Sequence, residues 1–483
     1  MDAPTAATRA SSPDTRPEDL APVLRRLRDA WEARRPTLAQ READLKRLKA
    51  AFAAGTEAMD AAIRDDFGHR SRHENLLSET MIVRAEIDHA LANLRRWARP
   101  RRVRSGWKLW PARAELRPQP LGVVGIIAPW NYPVNLALVP LVSAIAAGNH
   151  ACVKPSEHVP RTARWLRALL GEVFPDDRVA VALGGPDVGA AFAALPFDHL
   201  LFTGSTAVGR KVLAAAAPNL TPVTLELGGK APAIVCADFP VDVAAARIAS
   251  GKWFNAGQTC IGVDYALVDA ARRDAFVPAL VAQLRARYGD IGEGAAPDYT
   301  RIIDDAHFAR LQSLLDDARE RGCVVLQPVA VDPTRAARER LFPPAIVLEP
   351  PADARLMREE IFGPILPVRS YARLDDALAF AAALPRPLAL YPFTRDRATL
   401  ARIIDWLPAG GVTANDTLLH FSVHGLPFGG IGPSGMGAIH GKAGFDTFSH
   451  ALPVLHQPLR AASDLLRPPY RGRVDRLVRF LAK

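Results

Sequence analysis

The spacing of apolar residues changes near Leu121, and this change separates two regions of different predicted structure. Residues 20–100 carry apolar positions such as Leu24, Leu27 and Trp31 at helical spacing. From Leu121 the run LGVVGIIAPW is continuously apolar, which is typical of a strand buried on both faces of a parallel sheet. The pattern therefore predicts a helical N-terminal region followed by an α/β fold.

Strand-like and helix-like runs then alternate in two series. The first has predicted strands and helices at 121–130, 134–147, 151–154, 161–174, 178–183 and 199–203. The second begins near Pro232, with segments at 233–236, 242–254, 263–268 and 272–288 and strands near Cys323, Ile346 and Leu388. Such alternation predicts βαβ units. We expect two α/β domains that meet at a cleft, with ligands at the carboxyl ends of the strands.

Three segments fall outside this alternation. Residues 103–118 and 445–459 are short and contain β-branched or aromatic residues, and we expect them to pair as a projecting sheet used for assembly. The last residues place Val474, Leu477 and Leu481 on one face of a predicted helix. We expect that helix to pack on the protein, with a peripheral membrane contact as the alternative.

Length and composition are those of an ordinary globular protein. The chain has 483 residues, 49% hydrophobic and 23% charged, which is enough for two or three domains. No apolar run is long enough to span a bilayer, so we predict no integral membrane segment. Residues 1–19 lack the apolar core of a secretory signal and contain acidic side chains. We expect them to form a disordered lead-in.

The net charge and the cysteines indicate which partners and which cellular location to expect. The formal net charge is +10, but no aromatic reader motif lies beside the basic runs, so we predict solvated faces or attraction of anionic cofactors rather than a nucleic-acid partner. Cys152, Cys236 and Cys323 lie in apolar, strand-like runs and are expected to be packed thiols. Their wide spacing fits neither a disulfide scaffold nor a zinc site, and a reducing cytoplasm is the simplest location.

Three residues are candidates for catalysis. Cys260 follows a glycine-containing loop after a predicted helix; a thiol exposed there in a cleft, with a lowered pKa, is a usable nucleophile, although a lone cysteine is more often buried and inert. Glu226 ends a predicted strand, where burial can raise the pKa of a carboxyl to suit a general base. The Asn131 amide can donate to an oxyanion. A surface carboxylate and a turn asparagine are the alternatives for these two.

Other strand ends carry candidates for cofactor binding. Lys154 and Glu157 follow a predicted strand and could hold ribose hydroxyls, although Ser156 could instead make this an ordinary helix cap. Gly204 and Ser205 form a turn that opens a helix, a possible pyrophosphate cradle. Two histidine pairs with i,i+4 spacing lack the glutamate of HExxH, so we predict no metal site.

The order of the motifs is more specific than any one of them. PWNYP, KPSE, FTGS, ELGGK, GQTC, EEIFGP and PFGGIGPSGMG follow one another as in the NAD(P)-dependent aldehyde dehydrogenases, which the chain resembles from about residue 24 to 458. Within that superfamily it resembles the class 3 type and is most similar to the bacterial coniferyl aldehyde dehydrogenases, through DDFGHRSRHE and the tail RPPY among other runs.

The resemblance implies a fold and its division into parts. It implies an α/β protein with a Rossmann-type cofactor domain, an α/β catalytic domain and a small bridging sheet for oligomerisation. The implied parts are the cofactor domain (20–102 and 119–227), the catalytic domain (228–415), the bridging elements (103–118 and 416–460) and a basic C-terminal tail (461–483).

The resemblance also assigns roles. Cys260 would be the nucleophile, Glu226 would activate the deacylating water, and Asn131 would donate to the oxyanion beside the Cys260 N–H. The implied cofactor contacts are Trp130, Lys154 and Glu157 (the last two at the adenosine ribose), Gly204 and Ser205 at the pyrophosphate, and Glu360 and Phe362 at the nicotinamide ribose.

The implied activity is oxidation of an aromatic or other hydrophobic aldehyde to the carboxylate with NAD, with NADP possible, by a homodimer or other homo-oligomer. Transfer of the acyl group to CoA and a non-catalytic basic binding protein are the alternatives, and Glu226 speaks against the first. After the nucleophile the chain reads Ile-Gly-Val-Asp264, where related enzymes often have Ala-Pro before the Asp. We expect a looser turn there.

Overall fold

A computed structural model describes residues 14–106, 109–292, 297–461, 463–464, 467–468 and 472–482. The strands are β1 (Arg101–Val103), β2 (Arg113–Pro120), β3 (Val123–Ile127), β4 (His150–Lys154), β5 (Val179–Val181), β6 (His199–Thr203), β7 (Val223–Glu226), β8 (Pro232–Val235), β9 (Tyr265–Asp269), β10 (Val324–Leu326), β11 (Ala345–Leu348), β12 (Ile365–Tyr371), β13 (Ala389–Phe393), β14 (Gly411–Val412), β15 (Gly435–Met436) and β16 (Ser449–His456).

Helices separate most of the strands. They are α1 (Pro17–Ala33), α2 (Leu38–Ala54), α3 (Thr56–Phe67), α4 (Arg72–Asn75), α5 (Met81–Trp97), α6 (Asn135–Ala147), α7 (Pro160–Val173), α8 (Pro186–Ala193), α9 (Thr206–Ala216), α10 (Val241–Trp253), α11 (Ala270–Tyr288), α12 (Asp305–Glu320), α13 (Pro333–Glu339), α14 (Arg355–Arg358), α15 (Leu374–Ala382), α16 (Arg397–Trp406), α17 (Gly441–Thr447) and α18 (Arg473–Leu481). A π-helical turn, Leu76–Thr80, joins α4 to α5.

The first large sheet has the predicted dinucleotide-binding architecture. Its parallel strands run in the order β7-β6-β3-β4-β5, so the direction of winding reverses at β3, which is the position where such sheets bind ligands. Every residue of β3 is buried, as the continuous apolar run predicted. The two-residue strand β15 adds to the edge, antiparallel to β7.

The second large sheet contains the second predicted series. Its order is β10-β11-β12-β9-β8-β13-β14, and β10 is antiparallel to its neighbour while the other pairs are parallel. One continuous core joins both sheets, because β3 and β4 share it with β8, β9 and β12. Trp253 is fully buried in this core and donates its indole N–H to the Pro364 carbonyl at 3.0 Å.

The small sheet confirms the predicted pairing of the two outlying segments and corrects its extent. β2 pairs antiparallel with both β1 and β16, from Ser449 opposite Pro120 to His456 opposite Arg113. Residues 416–460, however, do not form one bridging element. Gly435 and Met436 pair with β7 instead, and a Cβ on Gly435 would lie 2.2 Å from the Leu225 carbonyl oxygen, so glycine is what permits this close approach.

The predicted lead-in is shorter than residues 1–19. Residues 1–13 lie outside the described residues, but α1 already begins at Pro17, and the Thr15 N–H donates to the Leu183 carbonyl at 2.8 Å. Prediction missed the first residues of α1 because Pro17, Glu18 and Asp19 were attributed to disorder, whereas proline and acidic side chains also favour the first turn of a helix.

The predicted C-terminal helix is present as α18. Val474 and Leu477 are half-buried, whereas Val478 and Phe480 are exposed, so packing covers only part of its apolar surface. No described helix is long and apolar enough to cross a membrane.

Gly125 in β3 supplies a test of the packing between sheet and helices. A Cβ there would lie 2.8 Å from the Phe197 ring and 2.9 Å from a Leu200 methyl carbon. We expect Gly125→Ala to destabilise the protein by about 1–3 kcal/mol through overpacking, measured as a lower Tm. Gly171→Ala in α7, where a Cβ would meet nothing within 4 Å, is the matched control and should not lower the Tm; equal Tm values for the two variants would contradict the prediction.

Candidate active site

The predicted site residues lie where edges of the two large sheets meet. Trp130 and Asn131 follow β3, Lys154 ends β4, Gly204 follows β6 and Glu226 ends β7. Because these strands are parallel, their carboxyl ends share one edge. The first sheet therefore presents its predicted residues together.

The second sheet contributes differently from the prediction. Cys260 and Glu360 lie before β9 and β12, at the amino edge of that sheet and not at its carboxyl edge. Both nevertheless line a cavity with Glu226 of the first sheet. The cleft thus joins the carboxyl edge of one sheet to the amino edge of the other, an arrangement that strand alternation alone does not specify.

Three cavities follow one another along this cleft. The nucleotide pocket, of 590 Å³, contains Lys154 and Glu157 together with Trp130, Gly204 and Ser205. The last three also line the thiol pocket, of 250 Å³. Its walls include Asn131, Glu226, Cys260, Glu360 and Phe362. The structure therefore brings all ten predicted site residues into two adjoining pockets.

Cys260 also lines a third cavity, the apolar pocket, of 330 Å³. Its walls include Leu77, Met81, Leu136 and Phe254. The thiol consequently borders both a mainly apolar pocket and the thiol pocket, so a molecule in either pocket can reach it.

The electrostatics of the thiol differ from the prediction. Burial, and then the nearby carboxyls of Glu360 and Glu226, raise the pKa of Cys260 to about 12, although backbone N–H groups oppose the shift. The expectation of a lowered pKa was wrong, because it counted loop exposure and not the carboxyls that tertiary structure places nearby. The resting thiol is protonated and needs a base.

Glu226 has the properties of such a base. It is 2% exposed, and neither carboxyl oxygen has a hydrogen-bond partner in the described part of the chain. Burial raises its pKa well above the ordinary value, as the sequence predicted. A carboxyl left without partners on the wall of a pocket can exchange a proton with a molecule that enters.

Glu360 approaches the backbone of the ELGGK turn closely. A Cβ on Gly228 would lie 2.1 Å from its Oε1, which explains glycine at that position. Burial, together with Asp264, raises the pKa of Glu360 to about 7. Phe362, at φ 47°, stands edge-on to the Trp130 ring at 5.4 Å, so two aromatic walls meet in the thiol pocket.

Hydrogen bonds hold both the side-chain amide and the backbone carbonyl of Asn131. Its side-chain Nδ2 donates to the Gln258 carbonyl at 3.1 Å, while its own carbonyl accepts from Arg70 at 2.8 Å and from Asn255 at 3.2 Å. One amide hydrogen is thereby committed to the nucleophile loop, defined here as residues 254–261. The other remains to face the thiol pocket that Asn131 lines.

The turn after Cys260 is firm, contrary to expectation. The Gly262 N–H donates to the Thr259 carbonyl at 2.8 Å, and the Tyr391 hydroxyl donates to the Ile261 carbonyl. Asp264 accepts from the Ile361 N–H at 2.9 Å and from Lys230. These long-range contacts fix the turn without the proline that related enzymes carry.

The nucleotide pocket has the donors that a dinucleotide needs. Lys154 Nζ lies 3.0 Å from Glu157 Oε2, which places a cation and a carboxylate side by side for ribose hydroxyls. Ser205 accepts from the Val208 N–H at 3.4 Å and caps α9, whose N-terminus therefore faces a wall of the pocket and favours a phosphate. Ser156 caps a turn rather than α7, since its Oγ accepts from His158.

Comparison with known proteins agrees with this geometry. The sequence model of the aldehyde dehydrogenase family matches residues 4–452. The chain belongs to the aldehyde dehydrogenase family. The family predicted from the order of the motifs is thus confirmed.

Several relatives cover this aldehyde dehydrogenase almost completely. It is 47% identical to a probable coniferyl aldehyde dehydrogenase of Pseudomonas aeruginosa, with 92% of each chain covered. It is 39% identical to a coniferyl aldehyde dehydrogenase of a Pseudomonas species, with 96% of each covered. Family 3 member A2 of the mouse is 43% identical, over 91% of this chain and 88% of the mouse protein.

Solved structures confirm the predicted fold. A substrate-bound aldehyde dehydrogenase of Staphylococcus aureus, AldH, superimposes with a TM-score of 0.91 at 38% identity, covering 96% of this chain and 99% of that one. Betaine aldehyde dehydrogenase of the same organism, in complex with NAD⁺, gives a TM-score of 0.84 at 25% identity over 92% and 89%. The protein is accordingly an oxidoreductase that oxidises aldehydes with a nicotinamide cofactor.

Two residues that line the pockets of this aldehyde dehydrogenase were not predicted from its sequence. His307 lines both the nucleotide and the thiol pocket, 5.1 Å from the Trp130 ring, and bonds Asp304 at 2.7 Å. Arg310 lines the thiol pocket and donates to the Glu360 carbonyl at 3.2 Å. Both lie on α12, which carries no motif, so only the long-range packing of that helix reveals them.

The raised pKa values predict the pH dependence of this aldehyde dehydrogenase. Cys260 and Glu226 are protonated at low pH and become thiolate and carboxylate as pH rises, so kcat/KM for the aldehyde should increase from pH 6 to pH 9. The ceiling is about tenfold per pH unit for one thiol titrating well below its pKa. NADH formation at constant ionic strength measures it, with Cys323→Ala as the control; a profile that falls over this range would contradict the assignment.

Proposed function

We propose that the enzyme oxidises aromatic or other hydrophobic aldehydes, such as coniferaldehyde, to carboxylates with NAD. The observation that carries the proposal is the position of Cys260 between the apolar pocket and the thiol pocket. An aldehyde bound in the first would reach the thiol from one side, and the nicotinamide from the other. The names of the coniferyl aldehyde dehydrogenases that the chain resembles support the substrate class.

The walls of the apolar pocket suit such a substrate. Leu77, Met81, Phe254 and Phe421 offer apolar contacts, and small-molecule sites are usually lined this way with a few polar groups that fix orientation. Asp416 on the same wall can accept a hydrogen bond from a phenolic hydroxyl. An aromatic aldehyde with a phenol at its far end matches this distribution.

The proposed chemistry begins with proton removal from Cys260, for which Glu226 is the candidate base. The thiolate adds to the aldehyde carbon and forms a thiohemiacetal. Its oxyanion receives hydrogen bonds from Asn131 Nδ2 and from the Cys260 N–H. When bound, the nicotinamide ring supplies the hydride acceptor. Once Glu226 has released the first proton to solvent, it deprotonates the water that attacks the thioester carbon; the C–S bond breaks, the carboxylate leaves, and the Cys260 thiolate regains a proton from Glu226.

Cofactor binding uses the nucleotide pocket. In this proposal Lys154 and Glu157 hold the adenosine ribose, Gly204, Ser205 and the N-terminus of α9 lie near the pyrophosphate, and Trp130, Glu360 and Phe362 position the nicotinamide end. The pocket walls support this placement of the two ends of the cofactor. Lys154 and Glu157 line the nucleotide pocket and not the thiol pocket, whereas Glu360 and Phe362 line the thiol pocket and not the nucleotide pocket.

We further propose the predicted domain boundaries and the predicted assembly into an oligomer. Residues 20–102 and 119–227 form the cofactor domain and 228–415 the catalytic domain. The small sheet of β1, β2 and β16 would be the contact of a homodimer or larger homo-oligomer, because β16 is an edge strand with mostly exposed side chains and an open edge can pair with a second copy. A cytoplasmic location is part of the same proposal.

Hydrolysis by Glu226 can be tested by trapping the thioester. We expect Glu226→Gln to form about one equivalent of NADH per site in a slowed burst, because Cys260 has lost its proposed base, and then to turn over hardly at all, because the acyl group stays on Cys260. Cys260→Ala should show no burst.

Asn131→Ala should slow acylation by about a hundredfold, the usual loss on removing one oxyanion donor. Stopped-flow absorbance at 340 nm, with coniferaldehyde, benzaldehyde and hexanal, measures all three.

CoA as the acyl acceptor is the outcome that would overturn the hydrolytic proposal. If CoA restores full turnover to Glu226→Gln and accelerates the wild type, the enzyme is CoA-acylating. No turnover with any aldehyde, relative to Cys260→Ala, would leave the basic binding protein as the better description.

The choice between NAD and NADP is tested at Glu157. Its carboxylate should repel the 2′-phosphate of NADP, while the Lys154 contact at 3.0 Å offsets part of that repulsion. Glu157→Gln should raise the NADP/NAD ratio of kcat/KM by about fivefold, equivalent to about 1 kcal/mol at a partly exposed site. Glu172→Gln, on the exposed surface of α7, is the control, and equal ratios in the two variants would refute the role.

A further inference from the structure

The nucleophile loop has a backbone that its sequence does not favour. Asn255 and Ala256 have φ/ψ of 52°/34° and 49°/35°, and Gly257 follows at φ 74°. Left-handed conformation is costly for residues with a Cβ, and Ala256 has no polar side chain to compensate. Three such residues in succession persist only when their surroundings determine them. Something outside the loop must therefore hold it.

Glu74 provides that contact from a distant part of the chain. Its Oε1 accepts from the Asn255 backbone N–H at 3.0 Å, and its Oε2 accepts from the Thr300 hydroxyl at 2.7 Å. Thr300 thus fixes one oxygen of the carboxyl, and the other oxygen accepts from Asn255, the first left-handed residue of the loop. Asn255 is fully buried and Glu74 is 7% exposed, so water offers little competition for the bond.

The Asn255 side chain carries the restraint to the oxyanion donor. Its Nδ2 donates to the Asn131 carbonyl at 3.2 Å and to the Gln258 carbonyl at 3.1 Å. Asn131 Nδ2 returns a bond to that same Gln258 carbonyl. The nucleophile loop and the Asn131 loop are therefore one hydrogen-bonded unit, with Asn255 at its centre.

Arg70, four residues before Glu74, holds the other half of this unit. Its Nη1 donates to the Asn131 carbonyl at 2.8 Å, and its guanidinium lies over the Tyr132 ring at 4.9 Å. Glu79 faces Arg70 at 3.6 Å, with both side chains fully buried. The segment from Arg70 to Glu79 thus contacts both loops, through Glu74 and Arg70.

We propose that Glu74 is a positioning residue that holds the nucleophile loop in its left-handed form and, through Asn255, aligns Cys260 with the Asn131 amide. The inference rests on the roles proposed above for Cys260 and Asn131. Glu74 lines none of the three pockets, so it touches neither substrate nor cofactor. Its function is geometric.

The required property of Glu74 is its shape and its acceptor oxygen, not its charge. Burial raises its pKa to about 7, opposed by the bonds from Thr300 and Asn255 and by Arg70, with Asp298 adding to the rise. In either protonation state one oxygen can still accept the Asn255 N–H. An isosteric amide should therefore replace it, whereas a truncated side chain should not.

Two variants at this position give opposite expectations. In Glu74→Ala the Asn255 N–H loses its acceptor, and the peptide covering 254–262 should exchange its amide hydrogens at least about tenfold faster in the cofactor-free protein. kcat should fall about tenfold to a hundredfold, as expected for a misplaced nucleophile, while the Kd for NAD stays within about twofold. Glu74→Gln should restore both exchange and kcat to within about threefold of wild type.

A matched control separates positioning from loss of stability. Asp44 is also a buried carboxylate, paired at 2.9 Å with Arg178, which directly precedes β5 at the amino edge of the first sheet. Asp44→Ala should lower the Tm without changing exchange in 254–262 or kcat at a temperature where it is folded. The proposal is overturned if Glu74→Gln behaves like Glu74→Ala, if Glu74→Ala leaves exchange in 254–262 unchanged, or if Asp44→Ala reproduces its effects.

Thr300→Val keeps the proposal testable if Glu74→Ala does not fold. It removes the hydroxyl that fixes Glu74 Oε2 and that also accepts from the Ser71 N–H at 3.3 Å. It should produce smaller changes in the same direction, in both exchange and kcat; no change in either would refute the positioning role. Hydrogen exchange needs no aldehyde turnover. A wild type that lacks aldehyde oxidation would therefore count against the proposed function, while the exchange result would still decide the role of Glu74.

Discussion

Dehydration of the cleft is the constraint on which the site depends. Glu226 is buried and Cys260 and Glu360 are partly buried, and burial pushes the pKa of all three groups toward the neutral form. A carboxyl without hydrogen-bond partners costs free energy in a folded protein, so Glu226 is retained at the expense of stability. Such a group suits the proposed proton transfer, because its affinity for a proton lies nearer to that of a thiol or a water molecule.

The fold creates that dry region by joining two sheets with one core. The helix α6 is buried along its whole length and follows directly on the loop that carries Asn131, so that loop cannot shift relative to the first sheet without disturbing packing. Trp253 anchors the end of α10 directly before the nucleophile loop. Both reactive loops therefore leave rigid elements, and their separation is set by the core and not by their own flexibility.

Sequence predicted the parts of this arrangement that depend on local pattern. The βαβ alternation, the pairing of the small sheet, and the residues Asn131, Glu226 and Cys260 follow from periodicity and motif order. The direction of the pKa shift of Cys260 does not follow from local pattern, because it depends on burial and on Glu360, a hundred residues away in the chain. Cys260 and Glu360 lie before their strands for a related reason: which sheet edge faces the cleft depends on how the domains pack. His307, Arg310 and Glu74 reach the site only through long-range contacts, and no local signal marks them.

The two-residue strand β15 links regions that otherwise look independent. It pairs with the strand that ends in Glu226, and only α17 and short connections separate it from β16 of the small sheet. The stretch from β15 to β16 contains Gly437, Gly441 and Gly444. A short piece of chain therefore runs from the strand pairing that carries the buried carboxyl to the proposed contact between subunits.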